Sequence, residues 1–170
     1  MSLIEGLIDI GNGVWNITKG IVKASFAFLK MMLFGAVMII VGLYAAAKAM
    51  FDYAKRKWKE IRSKRPNVKP IEAGSATKKV LQKTLNNMER EVSSETIPLS
   101  ELEKDEIIND IKEIKKKVDN GEASGMHWIE GINEKGETEI LDAEIFKADS
   151  ISEEDQKRDE NGKVFIRKIS

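Results

Sequence analysis

The chain has 170 residues, with 28 basic and 28 acidic side chains and no cysteine. The lack of cysteine excludes disulfides, cysteine-based zinc sites and a thiol nucleophile. The zero net charge hides an uneven distribution, because residues 19–69 hold twelve bases and two acids, whereas residues 70–170 hold sixteen bases and twenty-four acids. Such asymmetry predicts segments in different surroundings, for example a membrane-contacting part followed by an acidic domain.

The first twenty residues predict an amphipathic helix. Apolar side chains recur there at spacings of three and four, opposite a narrow polar stripe. Ser2 and Glu5 match a capping box at its start. We expect residues 1–20 to lie in a membrane interface, with Trp15 at headgroup level, or to pack against a neighbouring helix.

Residues 31–47 carry no charged side chain and are bracketed by Lys30 and Lys48. A helix of this length is ~25 Å long. Snorkelling lysines at both ends would let it cross a hydrocarbon layer of ~30 Å. The pattern predicts a transmembrane helix over residues 21–53. A buried helix of a different fold and a signal peptide are the alternatives.

The charges that flank this segment predict its orientation in the membrane, and its small residues predict where such helices could associate. Three bases precede the uncharged core and nine follow it, which favours a single-pass protein of the inner membrane with its C-terminal domain in the cytoplasm. Gly35, Gly42 and Ala46 offer small surfaces at which spanning helices could associate into a homo-oligomer. The residues expected at the membrane interface are Trp15, Lys30, Lys48, Tyr53, Arg56, Lys57, Trp58 and Lys59.

Residues 54–75 are predicted to be a basic juxtamembrane segment and linker. Their bases serve as a topological signal or contact anionic lipid headgroups, at ~1 kcal/mol for each base near the surface. Arg65-Pro66 is expected to end the helix, because the residue before a proline disfavours helical geometry. Nucleic acid is not an expected partner, since the acidic region that follows would repel phosphates.

Residues 76–170 predict an acidic cytoplasmic α+β domain, made of an αα-hairpin and about three antiparallel strands. A helix is expected over residues 76–92, and a second one begins with the capping box Ser100–Glu103. Two strands flank a turn at residues 133–136, and a third ends the chain. The candidate core residues are Trp128, Ile132, Leu141, Ile145, Phe146, Phe165 and Ile169.

The sequence contains no recognisable catalytic motif. His127, the only histidine, lies beside Trp128 in a predicted strand, so we expect a surface or rim position. No nucleophile elbow, phosphate loop or dinucleotide motif is present. The acids along residues 101–113 predict a solvated helix face rather than paired catalytic carboxylates. We therefore expect no enzymatic activity, no cofactor and no bound metal.

The fold class predicted by these patterns is a membrane-anchored α+β protein. The function expected is that of a non-enzymatic single-pass membrane protein whose cytoplasmic domain binds an unknown protein partner, as an adaptor, an accessory subunit or an immunity or exclusion protein. A holin-like oligomeric channel is the first alternative, and a membrane-tethered enzyme without a recognisable motif is the second. The Lys-, Glu- and Ile-rich, cysteine-free composition is of a bacterial or phage style.

Overall fold

A computed structural model of the chain describes residues 3–8, 19–93 and 99–169. Its centre is a five-stranded mixed sheet with helices on both faces. The elements, in chain order, are α1 (Leu3–Ile8), α2 (Lys19–Phe34), β1 (Met38–Tyr44), α3 (Ala46–Lys64), β2 (Lys69–Thr77), α4 (Lys78–Val92), α5 (Glu101–Asp119), β3 (Gly125–Ile132), β4 (Thr138–Ile151), α6 (Glu153–Glu160) and β5 (Phe165–Lys168). The strand order is β1-β4-β3-β2-β5. Strand β1 runs parallel to β4, and the other pairs are antiparallel.

Local sequence signals account for the elements after residue 76. The hydroxyl of Ser100 accepts a hydrogen bond from the amide of Glu103, whose carboxylate accepts one from the amide of Ser100, so the predicted capping box is confirmed. The predicted hairpin is confirmed too. The side chain of Asn133 accepts hydrogen bonds from the amides of Lys135 and Glu137 in its turn, at 2.9 and 3.0 Å.

The predicted transmembrane helix over residues 21–53 is wrong. That segment forms most of α2, all of β1 and the first turns of α3. Within the described ranges, every helix is either too short or too polar to cross a bilayer. The membrane-anchored fold class, the single-pass topology and the inner-membrane location all depended on this helix and are corrected with it. The described chain has an α+β fold around one mixed sheet.

The uncharged run was misleading because it joins parts of three elements. Strand β1 is rich in β-branched and aromatic residues, and periodicity does not distinguish a short apolar strand from a buried helical segment. Helix α2 ends before Gly35, whose amide donates the last helical bond to the carbonyl of Met31 at 3.0 Å. Lys30, which bracketed the run, pairs with Glu106 and Asp110 of α5 at 2.9 Å.

The segment of residues 54–75, which was expected to be a basic linker, forms the end of a helix and most of a strand. Residues 54–64 belong to α3, and β2 begins at Lys69. Strand β2 lies between β3 and β5. At the end of α3, Arg65 donates hydrogen bonds to Glu134 and Glu139 of the β3–β4 hairpin, at 2.6 to 3.1 Å.

Two hydrophobic clusters cover the two faces of the sheet. Helices α1, α2, α4 and α5 pack over the face that carries Trp128. Helix α3 packs over the opposite face, around Tyr44, Tyr53 and Phe146. Four predicted core residues are buried, namely Trp128, Leu141, Ile145 and Phe146, whereas Ile132, Phe165 and Ile169 are half-buried.

Candidate functional site

Strand β1 forms one edge of the sheet, and no described residue pairs with its outer side. It carries no charged residue and no proline, two devices that commonly protect edge strands from pairing, although a β-bulge, which is a third such device, interrupts it. Ile39, Val41 and Leu43 are 65%, 87% and 64% exposed. The edge therefore combines unpaired backbone groups with a row of exposed apolar side chains.

A β-bulge sits in the middle of this strand. Ile40 pairs with Ala148 and Leu43 with Ser150, so Val41 and Gly42 together face Asp149. Gly42 has φ +86°, a conformation that glycine adopts at little cost, and its amide donates to Oδ2 of Asp149 at 2.8 Å. A bulge increases the local twist and re-aims side chains, consistent with the high exposure of Val41.

A groove of about 230 Å³ lies between β1 and the first two turns of α3. Its lining is largely apolar and includes Met38, Ile40 and Ala49. Lys48 and Asp52 stand at its rim, and both side chains are exposed and without an ion-pair partner in the described chain. The groove thus offers apolar walls and one charge of each sign.

Tyr44, the last residue of β1, fixes the strand to the sheet. Its side chain is buried, and its ring stacks on Phe146 with the centroids 4.2 Å apart. Its hydroxyl bonds to the hydroxyl of Ser75 and lies 3.0 Å from Nε2 of His127. Burial raises the pKa of Tyr44 above its ordinary value of 10.0, so the phenol stays protonated and donates one of these bonds.

His127 is fully buried near the start of β3, so the predicted surface or rim position is wrong. Its Nδ1 atom lies 3.5 Å from Oε1 of Glu144, which is longer than a well-formed hydrogen bond. Arg56 of α3 contacts the same carboxylate at 3.3 Å. Burial lowers the pKa of His127 below 6.5, which favours the neutral imidazole.

A second polar pair, formed by a buried tyrosine and a partly buried aspartate, joins α3 to β4. The hydroxyl of Tyr53 donates to Oδ2 of Asp142 at 2.5 Å. Burial raises the pKa of both groups, because each charged form would lose contact with water. These contacts explain why α3 carries a tyrosine at this position, as an anchor to the sheet.

The polar cluster around His127 is suited to holding elements together rather than to chemistry. Ser75 and His127 are 2% and 0% exposed, and a catalytic group must come within hydrogen-bonding reach of its substrate. The described residues also contain no group of three or more histidine and acidic side chains arranged to hold a metal ion.

The residues predicted for a membrane interface do not share one surface. Trp15 lies outside the described residues. Tyr53 is buried and contacts Asp142, whereas the exposed Arg56 contacts Glu144. Lys57 pairs with Glu60 at 3.6 Å. The others differ in exposure, with Lys48 and Lys59 exposed and Lys30 and Trp58 half-buried.

The small residues predicted for helix association lie in three places. Gly35 follows α2, Gly42 is in the bulge of β1, and Ala46 is the buried first residue of α3. They therefore form no common helix face. The β1 edge was not predicted from the sequence, although the β-branched residues of this strand, Gly42 within it and Gly35 before it are unfavourable in a helix.

Comparison of the chain with protein-family models, with curated proteins and with solved structures found no match. The features of the described chain that point to a function are the β1 edge, the groove beside it and the exposed face of α3. Of these features, the β1 edge is the most unusual for a monomeric protein, because exposed apolar edge strands promote association.

Proposed function

We propose that the protein is a non-enzymatic binding protein that receives an extended strand of a protein partner along the outer edge of β1. One observation carries this proposal, namely a seven-residue uncharged edge strand with three exposed apolar side chains. In strand addition, main-chain hydrogen bonds supply affinity, and alternate side chains supply specificity.

The apolar side chains of the β1 edge and of the groove favour a partner strand with apolar residues. A strand added to β1 would extend the sheet, with one row of its side chains beside the exposed row of β1 and the other row toward the groove. Full burial of one Val, Leu or Ile side chain contributes about 1.5–3 kcal/mol. We therefore expect the partner strand to be uncharged at its centre and to carry apolar residues at alternate positions.

The buried position of the polar cluster around His127 favours a binding role for the protein over a catalytic one. The hydroxyl of Ser75 and the imidazole of His127 are both buried beneath α3, away from the exposed edge. The channel alternative depended on a spanning helix over residues 21–53, which the fold replaces with helix, strand and helix. The protein-binding role proposed here has a different basis from the predicted one, because it depends on the exposed surface of β1 and not on the acidic region of residues 76–170.

Selection of peptides from a random display library against the purified protein tests this proposal. Enriched peptides should share alternating apolar residues, and Val41→Lys should weaken their binding at least about tenfold, because it places a charge on the edge. Leu102→Lys is the matched control, since Leu102 is 80% exposed on α5. The selection uses dilute protein, so that other copies of the chain do not compete for the edge. Failure to enrich any peptide under these conditions, or binding that Val41→Lys leaves unchanged, would contradict the proposal.

The basic face of α3 favours a second candidate role, contact with anionic lipid headgroups. Lys55, Lys59 and Arg62 recur at helical spacing on exposed positions, and Trp58 lies among them. These three bases have no ion-pair partner in the described chain. Near an anionic surface each base contributes about 1 kcal/mol.

Cosedimentation with vesicles tests this second role. Vesicles that contain phosphatidylserine should retain the protein, and vesicles of phosphatidylcholine alone should not. Replacing Lys55, Lys59 and Arg62 with Glu should reduce binding about a hundredfold or more. Replacing Lys112 and Lys116 of α5, also exposed, is the charge control. An equal loss of vesicle binding in both variants would contradict specific binding through the basic face of α3.

A further inference from the structure

We infer that the partner strand at the β1 edge is β1 of a second copy of the chain. The two strands pair in antiparallel fashion about a two-fold axis and join the two five-stranded sheets into one. This inference rests on the proposed function, because it names the occupant of the same edge.

The two edges of the sheet differ in a way that supports self-pairing. Strand β5, the opposite edge, has four residues and exposes Arg167 and Lys168. Short length and basic side chains both discourage a sheet from pairing with its own copy. Strand β1 has seven residues and no charge, so two copies face each other without the repulsion that opposed like charges produce.

A two-fold arrangement also makes the apolar row self-complementary. With Val41 near the axis, Ile39 of one copy lies across from Leu43 of the other, and each apolar side chain meets an apolar mate. Three of the six exposed large apolar side chains in the described chain, those of Ile39, Val41 and Leu43, come from β1 alone. Pairing therefore covers a concentration of apolar surface of the kind that marks interaction sites.

The rim of the groove provides complementary charge. Lys48 and Asp52 lie one turn apart at the start of α3, exposed and unpaired in the described chain. Extension of the sheet about a two-fold axis puts both α3 helices on the same face of the joined sheet. Lys48 of one copy then faces the partner's Asp52, and the symmetry produces this contact twice.

Single-cysteine variants test the pairing directly, because the chain has no cysteine of its own. A disulfide between identical positions forms only where the two Cα atoms come within about 4.4–6.8 Å. Val41→Cys or a neighbouring β1 position should give a covalent dimer under mild oxidation. Leu102→Cys, equally exposed, should stay monomeric.

Sedimentation equilibrium with charge variants provides the second measurement. Lys48→Glu and Asp52→Lys should each weaken the dimer severalfold, and the double variant should restore it. Val41→Lys should raise the dimer dissociation constant at least about tenfold, whereas Leu102→Lys should not. Dimerisation that survives Val41→Lys, or charge reversals without mutual rescue, would overturn the inference.

The same variants separate failure of the inference from failure of the proposed function. One outcome is a protein that is monomeric at all concentrations, binds display peptides through β1 and leaves Val41→Cys open to alkylation. That combination would overturn self-pairing alone. If the protein is a monomer and Val41→Cys resists alkylation, another part of the same chain must cover the β1 edge. That result would overturn both proposals.

Discussion

The hydroxyl of Tyr44 lies 3.0 Å from Nε2 of His127, so the end of the exposed edge strand is tied to the buried interior of the sheet. Ser75 of β2 bonds to the same hydroxyl. These contacts hold the C-terminal end of β1 against the sheet before any partner binds. A preorganised strand loses little conformational freedom on binding, which favours affinity.

Replacing His127 with Phe should flatten the dependence of stability on pH below about 6.5. Because burial lowers the pKa of His127 in the folded chain, the unfolded chain binds more protons between that lowered pKa and 6.5. The parent protein should therefore lose free energy of unfolding as the pH falls through this window. Urea denaturation across the window measures the effect, and equal slopes for parent and variant would contradict it.

Replacing Tyr53 with Phe should lower the free energy of unfolding by about 1–2 kcal/mol, because Asp142 loses a hydrogen bond in a partly buried position. A double-mutant cycle with Asp142→Ala, which removes the acceptor, isolates the pair. The two changes should be less than additive, since either one removes the same contact. Full additivity would show that the two side chains do not interact.

Replacing Gly74 with Ala should destabilise the fold by about 1–3 kcal/mol through overpacking. An added Cβ atom would lie 2.1 Å from Cζ2 of Trp128, and that ring is fully buried. Thermal or urea unfolding measures the loss. Combining Gly74→Ala with Trp128→Leu should cost less than the sum of the two single changes, and a simple sum would argue against this clash.

Replacing Ser100 with Ala should cost about 1 kcal/mol, because the first turn of α5 loses its cap. The Ser100 hydroxyl accepts from the Glu103 amide at 3.2 Å. Ser100→Asp is the matched control, since a carboxylate also caps a helix and should restore most of the stability. No loss of stability in Ser100→Ala would indicate that the cap contributes nothing, and equal losses in both variants would show that the loss does not come from the missing capping acceptor.

The sequence allowed prediction of those elements whose signals are local. The capping box of Ser100 and Glu103 and the turn around Asn133 depend on residues within four positions of each other. Residues 31–47 lack such signals, and the partner of β1 is β4, more than a hundred residues later. Hydrophobicity alone therefore predicted a span where long-range pairing produces a strand.

The candidate site could not be predicted from the sequence either, because it also depends on long-range pairing. The neighbours of His127 come from β1, β2, β4 and α3, so its burial follows from tertiary pairing rather than from its neighbours in sequence. The edge position of β1 is likewise a property of the whole strand order. Neither follows from periodicity or composition.

The most direct test of a free edge at β1 is residue-resolved amide hydrogen exchange over residues 38–44 in dilute protein. Only one side of the strand pairs with β4, so amides directed toward β4 should be protected while outward amides exchange rapidly. We expect this mixed pattern of protected and rapidly exchanging amides. Uniform protection across the segment, as in one continuous helix or a covered strand, would contradict it.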